Sequence, residues 1–300
     1  MKRFDIPILF VIFNKLDSAM RVFEEIKRVK PKELFIVADG PRNKEEKKIT
    51  DRVRREILKK IDWSCKIKKK FRNENWGGNK SSVEGLDWFF ENVEYGIFLE
   101  DDCLPSKTFF EYHKELLLKY KEEKRIKAIT GVNFLSNYKM KDSYLFSQVY
   151  FSCWGFSTWK RAWRIDREFI RRNYKKGLTK AFPNFIQRLS VKKHLKKGLE
   201  GGITNWDYLF ATQNALKKGL TIVPSVNLVE NIGFSGNSTH EFDAVDKKYL
   251  SGNRQEFNFP LKHPNQIKNN KRLGNCIDLW ILKRILKKIW ERFFKNEIAL

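Results

Sequence analysis

The sequence predicts an α/β protein, a three-layer α/β/α sandwich whose central sheet is mixed but mostly parallel. Two continuous apolar runs, Ile8–Phe13 and Leu34–Ala38, are typical of strands that are buried on both faces. Apolar residues at helical spacing lie between them, and Pro31 separates this helix from the second run. A strand, a helix and a strand within about 35 residues indicate a parallel βαβ unit.

The same alternation continues to residue 132. Each further segment shows either a short apolar run or an amphipathic pattern, which separates predicted strands from predicted helices. In chain order these are a helix at 44–61, a strand at 65–71, a helix ending at Phe90, a strand at 96–99, a helix at 107–122 and a strand at 128–132.

The second half of the chain is richer in aromatic and basic residues and is expected to share the same sheet. Its predicted elements are basic helices across 160–198, a helix opening at Asn205, a strand at 220–224, an irregular stretch at 233–275 and a helix at 276–300. We expect one domain over 1–260, with halves 1–132 and 133–260, followed by a linker and an amphipathic helix in 261–300.

Composition narrows the classes of function and location. The 300 residues include 25 Phe and 9 Trp, which excludes an intrinsically disordered chain. The formal net charge of +25 indicates a polyanionic partner, and a nucleic acid, an anionic membrane face or a phosphorylated substrate would each satisfy it. Four widely spaced cysteines, with no signal peptide and no long apolar span, predict a cytoplasmic protein.

Three adjacent carboxylates, Glu100, Asp101 and Asp102, follow the strand predicted at 96–99. Their mutual repulsion is unfavourable unless a cation lies among them. Hard oxygen ligands suit Mg²⁺ or Mn²⁺, which also accept diphosphate oxygens. An acidic turn that caps the following helix would explain the triplet alone equally well.

Other polar residues follow the ends of neighbouring predicted strands, where open α/β sheets bind their ligands. These candidates for binding a nucleotide diphosphate are Asn14, Asp39, Arg72, Asn73 and Lys80. A carboxylate at Asp39 could accept from a ribose or a base, and the cations could hold phosphates. The glycines match neither the GxGxxG pattern nor a P-loop, so both of those nucleotide sites are excluded.

The order of these pieces resembles the GT-A glycosyltransferases, including bacterial family 2-like sugar transferases. The resemblance rests on Pro7–Asn14, Val37–Arg42, Arg72–Gly77, Phe98–Asp102 and Asn227–His240. The Glu-Asp-Asp form of the "DxD" motif, with the later Trp206-Asp207, is also similar to the Golgi N-acetylglucosaminyltransferase I. It implies a metal-dependent transfer of a sugar from a nucleotide diphosphate, for which UDP is the family-weighted choice, to a glycan or lipid-linked hydroxyl.

The resemblance also implies roles for individual residues. Asp102 and His240 would bind the metal, Glu100 and Asp101 the ribose side of the nucleotide, and Asp39 the base. Asp207 would be the general base of an inverting displacement, although it could instead cap the helix that it opens. Glu230 is the alternative base. Residues 1–132 would then bind the nucleotide-sugar and 133–260 the acceptor.

The C-terminal segment carries a separate signal. From Ile281 onwards it repeats two apolar and two mostly basic residues, which indicates a basic amphipathic helix. Such a helix could lie on the inner, anionic face of a membrane, or it could dock on its own domain or on another protein. We expect the membrane, which would make the protein peripheral.

Two other classes of function compete with a transferase. The basic charge also fits a protein that binds nucleic acid or membrane without catalysis, but the clustered carboxylates would repel phosphates, and no nucleic-acid partner is expected. A sugar-nucleotide pyrophosphorylase would need a glycine-rich loop after the first strand, where this chain has Asn14-Lys15-Leu16-Asp17.

Overall fold

The computed structural model describes residues 3–135, 138–200, 206–233 and 253–293. Within those residues the elements are, in chain order, β1 (Ile8–Ile12), α1 (Leu16–Val29), β2 (Glu33–Ala38), α2 (Lys44–Lys59), β3 (Lys66–Phe71), α3 (Gly78–Asn92), β4 (Tyr95–Glu100), β5 (Cys103–Pro105), α4 (Phe109–Lys119), β6 (Ile126–Thr130), β7 (Tyr144–Ser147), β8 (Phe156–Trp159), α5 (Arg167–Ala181), α6 (Phe185–Glu200), α7 (Trp206–Leu216), β9 (Leu220–Pro224), β10 (Val229–Asn231) and α8 (Lys271–Phe293).

Eight strands form one mixed sheet in the order β3-β2-β1-β4-β8-β6-β9-β7. Strand β1 pairs in parallel with β2 and with β4, and β2 pairs in parallel with β3. Strands β8 and β7 run antiparallel to their neighbours, whereas β6 and β9 are parallel to each other. The predicted mostly parallel mixed sheet is therefore confirmed, and the carboxyl ends of β1 to β4 lie at one edge.

Helices cover this sheet on both faces, because alternate side chains of each buried strand point to opposite sides. Phe10 of β1 packs in a core with Phe23 of α1. The neighbouring Leu9 packs on the other face, in a core that includes Leu86 of α3 and Phe210 of α7. The three-layer sandwich predicted from the sequence is confirmed by these two cores.

Some elements differ from the prediction. The basic helix expected from 160 begins only at Arg167, because Asp166 caps it and accepts a hydrogen bond from the Phe169 backbone N–H at 2.8 Å. Residues 160–163 form a turn after β8 instead, with Trp163 N–H donating to Trp159. Strands β5, β7, β8 and β10 were not predicted, since each has only three or four residues.

The segment before the last helix packs against the first half of the chain. Glu256 accepts from the backbone N–H groups of Lys107 and Thr108 at 2.9 and 2.8 Å. The buried Phe257 ring stacks on Tyr112 with centroids 5.2 Å apart. Helix α8 follows, and no helix among the described residues is long and apolar enough to cross a membrane.

Candidate functional site

The acidic triplet lies at the carboxyl end of β4, in the turn that leads into β5. Asp101 Oδ2 accepts from the Phe13 backbone N–H at 2.8 Å, which ties this carboxylate to the end of β1. Asp102 Oδ2 lies 3.3 Å from Lys15 Nζ, and Glu100 Oε1 is 3.5 Å from Ser82 Oγ. Asp101 and Asp102 thus meet the loop between β1 and α1, whereas Glu100 meets α3.

Two carboxyl groups of the triplet have raised pKa values. Burial, followed by the charge of Asp102, raises the pKa of Glu100 to about 8. The same two causes raise the pKa of Asp101 to about 7, against the hydrogen bond from Phe13. Buried like charges disfavour the ionised forms, so the site favours a proton or a bound cation.

The residues present fit a hard divalent cation. Ligand atoms of Glu100, Asp102 and Cys103 lie within 4.8 Å of one another. Burial raises the pKa of the Cys103 thiol well above its ordinary value, which leaves the two carboxylates as the anionic donors. Carboxylate oxygens are the ligands that Mg²⁺ and Mn²⁺ prefer. The Asp102 carboxylate already pairs with one cation, the ammonium group of Lys15.

A second, two-stranded sheet shapes the Asp102 side of the site. Strand β10 pairs antiparallel with β5, and the Ile232 N–H donates to the Asp102 carbonyl oxygen at 2.8 Å. This pairing brings Gly233 against Asp102, where a Cβ atom would lie 2.3 Å from Oδ2. Only a glycine leaves the Asp102 carboxylate in its present position.

Asp39 lies at the end of β2 and is almost fully buried. Its carboxylate accepts from the Gly40 and Trp76 backbone N–H groups at 2.9 and 3.0 Å, and from Asn75 Nδ2 at 3.1 Å. The loop after β3 is therefore held against the end of β2 by one carboxylate. Asp39 positions this loop, whatever else it binds.

Arg72 and Lys80 flank one aromatic ring on that loop. The guanidinium carbon of Arg72 lies 4.4 Å from the Trp76 ring centroid, and Lys80 Nζ lies 4.3 Å from it. Arg72 is only 7% exposed, and its Nη1 donates to Ser81, but its Nε and Nη2 have no hydrogen-bond partner among the described residues. A buried cation with open donors is suited to hold an anion or an oxygen-rich base.

Two residues predicted to bind the nucleotide-sugar, Asn14 and Asn73, do not contact the triplet in any hydrogen bond described for them. Asn14 Nδ2 donates to Glu46 Oε1 at 2.8 Å, towards α2, and it is the next residue, Lys15, that reaches the triplet. Asn73 is exposed on the loop after β3. Lys15 could have been found by the rule that selected Asn14, since both follow the end of β1.

Asp207 is brought to the triplet from the far half of the chain. It lies half-buried in the first turn of α7, and its charge helps to raise the pKa values of Glu100 and of the Cys153 thiol. Because the helix begins at Trp206, Asp207 is inside the first turn, where the helix dipole favours a carboxylate. The half-buried Glu230 lies opposite Leu104 in the small sheet.

One predicted ligand, His240, lies outside the described residues. Four residues of the site were not selected from the sequence, namely Lys15, Ser82, Cys103 and Gly233. Cys103 and Lys15 adjoin selected residues, so position along the chain could have suggested them. Ser82 and Gly233 reach the site through tertiary contacts, and although Gly233 lies in the Asn227–His240 segment that carries the resemblance, no local pattern singled it out.

Comparison with known proteins gives likenesses of structure only. No protein-family model matches the chain, and no curated protein matches it in sequence. The mannosyltransferase PcManGT from Pyrobaculum calidifontis, solved with GDP-Man and Mn²⁺, is similar with 14% identity and a TM-score of 0.45, over 79% of this chain and 59% of that one. Our chain thus spans less than two thirds of that protein.

Two further solved structures are also similar. An apo UDP-glucose pyrophosphorylase matches with 10% identity and a TM-score of 0.37, over 75% of this chain and 93% of that one. The 4-diphosphocytidyl-2C-methyl-D-erythritol synthase of Anaerococcus prevotii matches with 14% identity and a TM-score of 0.33, over 69% and 96%. What this chain binds has to follow from its own site.

Proposed function

We propose that this protein is a metal-dependent glycosyltransferase that moves a sugar from a nucleotide diphosphate to an acceptor hydroxyl. The observation that carries the proposal is a cluster of carboxylates. Glu100 and Asp102 lie together at the carboxyl end of β4, and the charge of Asp207 on α7 acts on Glu100. A carboxylate pair suited to a cation, beside a further carboxylate on another helix, fits leaving-group stabilisation on one side and proton removal on the other.

The donor would lie across the ends of β1 to β4. Asp39 and Arg72 would line the position for the base and ribose, because two buried nitrogens of Arg72 have no hydrogen-bond partner among the described residues. From the sequence, Arg72 was expected to hold the phosphates instead. Lys80 and Lys15 supply positive charge towards the diphosphate. Glu100 is as well placed for the cation as for a ribose, because its oxygen lies with those of Asp102. UDP and GDP are the nucleoside diphosphates to test first.

Asp207 would act as the general base of an inverting displacement. The acceptor oxygen attacks the anomeric carbon while its proton passes to the Asp207 carboxylate. The bond from that carbon to the diphosphate oxygen breaks, and the diphosphate leaves with the electron pair. A divalent cation held by Asp102 and Glu100 would stabilise the charge that develops on this leaving group.

The remaining assignments follow the same division of the chain. Residues 1–132 would bind the donor, and residues 133–260, which contribute Asp207, would bind the acceptor. We propose a glycan or lipid-linked acceptor and a peripheral position on the inner face of an anionic membrane, which the net charge of +25 suits.

A thermal-shift screen of nucleoside diphosphates, each with and without Mn²⁺, tests this function. A ligand that binds only the folded state raises the melting temperature. We expect stabilisation by one nucleoside diphosphate together with Mn²⁺, and much less by either alone. A chain that no such pair stabilises would not be a transferase of this kind.

A further inference from the structure

The surface formed by helices α6 and α8 is apolar where it faces away from the protein. On α8, six large side chains are between 36% and 58% exposed: Leu279, Leu282, Ile285, Leu286, Ile289 and Trp290. At 100° per residue all six project within an arc of about 140°. On α6, Phe185 is 64% and Leu189 is 51% exposed, at a spacing of four residues that puts them on one face.

The two helices form one surface because hydrogen bonds join the first turn of α6 to the first eight residues of α8. Gln187 Nε2 donates to the Gly274 carbonyl at 2.6 Å, and its backbone N–H donates to Asp278 Oδ1 at 3.2 Å. The groove between the helices is lined by Phe185 of α6 and by Leu279 and Leu282 of α8. The exposed apolar residues of α6 and α8 are therefore continuous across this groove.

This apolar surface is surrounded by positive charge. The sequence of α6 contains five lysines and arginines, and that of α8 contains seven, against three acidic residues in the two helices together. Lys192, Lys193 and Lys283 are exposed. Among the acidic groups, Asp278 is engaged by Gln187. An apolar strip with a basic border is complementary to an anionic lipid interface.

Helix α6 contacts Tyr208, the residue that follows the proposed base, and α8 contacts Phe134. The His194 ring of α6 stacks on Tyr208 with centroids 3.9 Å apart and planes 14° apart. Farther along α8, Trp280 stacks on Phe134, whose ring meets Trp154 edge-on, one residue beyond Cys153. The apolar surface thus lies on helices that pack against the Asp207 side of the site.

We propose that the α6–α8 surface docks on the headgroup region of an anionic bilayer and holds the Asp207 side of the site next to it. Helix α8 alone was expected at the membrane from the sequence; the structure adds α6 and the groove between them. The docking stands by itself, whereas presentation of a lipid-linked acceptor to Asp207 rests on the proposed function.

Flotation of the full chain with vesicles tests the docking without any nucleotide or acceptor. We expect binding to vesicles of phosphatidylcholine with phosphatidylglycerol, weaker binding to pure phosphatidylcholine, and weaker binding at high salt. The apolar part is tested by Phe185→Ser with Leu286→Ser, which should weaken binding at least about tenfold. Its matched control is Ile49→Ser with Leu118→Ser, at side chains exposed by 48% and 45% elsewhere, which should bind as the wild type does.

The charge part is tested by a triple reversal, Lys192→Glu, Lys193→Glu and Lys283→Glu. Loss of the three cations should by itself weaken binding to anionic vesicles about 100-fold, and the three introduced carboxylates are repelled as well, so we expect a loss of at least that size. The control reverses three exposed cations of α2 instead, at Lys48, Arg52 and Lys59. Equal losses in the two triple variants would overturn the proposal, since they would show diffuse attraction by the net charge.

Two other results would also overturn it. In the first, the chain does not bind anionic vesicles, and light scattering shows a dimer that the Phe185→Ser and Leu286→Ser pair dissociates. The surface would then be an interface between copies of the chain. Tight binding to RNA or DNA that depends on Lys192, Lys193 and Lys283, without vesicle binding, would assign it to nucleic acid. If vesicle binding holds while no nucleoside diphosphate stabilises the protein, the docking stands and the proposed transferase fails.

Discussion

Gly233 leaves no room for a side chain beside Asp102, since a Cβ atom there would lie 2.3 Å from Oδ2 and 2.9 Å from the Asp102 Cβ. Strand β10 brings the glycine to this position by pairing with β5 directly after the triplet. The proposed metal ligand is therefore positioned from behind by backbone, and the orientation of its carboxylate depends on a residue about 130 positions later.

A substitution at Gly233 should damage the site while sparing the fold. Gly233→Ala must displace the Asp102 carboxylate, so we expect Mn²⁺ affinity to fall about 10- to 100-fold. Calorimetric titration with Mn²⁺ measures this. Gly274→Ala is the control, because a Cβ there meets nothing closer than 3.7 Å. Equal Mn²⁺ affinities in the two variants would show that Asp102 does not hold the ion.

The two arginines Arg72 and Arg161 should respond oppositely to the same substitution. Arg72 has two unpartnered buried nitrogens, whereas Arg161 donates to four backbone carbonyls. Arg72→Met should weaken nucleoside diphosphate binding about 10- to 100-fold with a change in unfolding free energy within about 1 kcal/mol. Arg161→Met should lower that free energy by about 1–3 kcal/mol and leave binding intact. A strongly destabilised Arg72 variant with normal binding would assign Arg72 to the fold alone.

Acid stability should depend on Glu46. The hydrogen bonds from Arg42 lower the pKa of Glu46 to about 2 from its ordinary 4.5. A carboxyl group whose pKa is lowered by folding stabilises the fold at pH values above its unfolded-state pKa. This contribution is lost as the pH falls from about 4.5 to about 2. Because Arg42 is 61% exposed on its side chain, solvent screening limits the contribution to about 1 kcal/mol.

Glu46→Gln should remove that contribution at pH 7 and flatten the dependence between those two pH values. Denaturant unfolding at several pH values measures the free energy of unfolding. Glu45→Gln, at the exposed neighbour on α2, is the control and should behave as the wild type does. A wild-type pH profile in Glu46→Gln would mean that the Arg42–Glu46 contact contributes nothing.

The proposed base makes a separate prediction about turnover. Asp207→Asn should lower kcat about 100-fold or more, since a general base contributes that much, while donor affinity stays the same or rises slightly. The rise is expected because removal of the Asp207 charge removes one repulsion that raises the pKa of Glu100, so Glu100 ionises more readily. Asp166→Asn, at the cap of α5, is the control and should leave kcat unchanged. A large loss of donor affinity in Asp207→Asn, with unchanged kcat, would assign Asp207 to binding.

Local patterns were sufficient for the elements whose signal is short and continuous. The run Leu220–Pro224 predicts β9 with its observed bounds, and Ile8–Phe13 predicts β1 to within one residue. The four short strands were not predicted, because Tyr144–Ser147 and Phe156–Trp159 are too brief to show a period and are stabilised by pairing with distant strands.

The site shows the same division between local and tertiary signals. The rule that ligands gather at strand ends selected Asp39, Arg72 and the triplet, which the structure places at one edge of the sheet. It could not select Gly233, whose role arises from the β5–β10 pairing, or show that Asn14 turns towards Glu46. Helix α8 was predicted, but its partnership with α6 depends on Gln187 and is not visible in either helix alone.

The most direct test of the central claim is the Mn²⁺ dependence of nucleoside diphosphate release from a nucleotide-sugar, measured for the wild type and for Asp102→Ala. The wild type should release the nucleoside diphosphate only when Mn²⁺ or Mg²⁺ is added. Asp102→Ala should release none at any Mn²⁺ concentration while it keeps the melting temperature of the metal-free wild type. Release by Asp102→Ala with an unchanged metal dependence would contradict the account, because the metal would then be bound elsewhere.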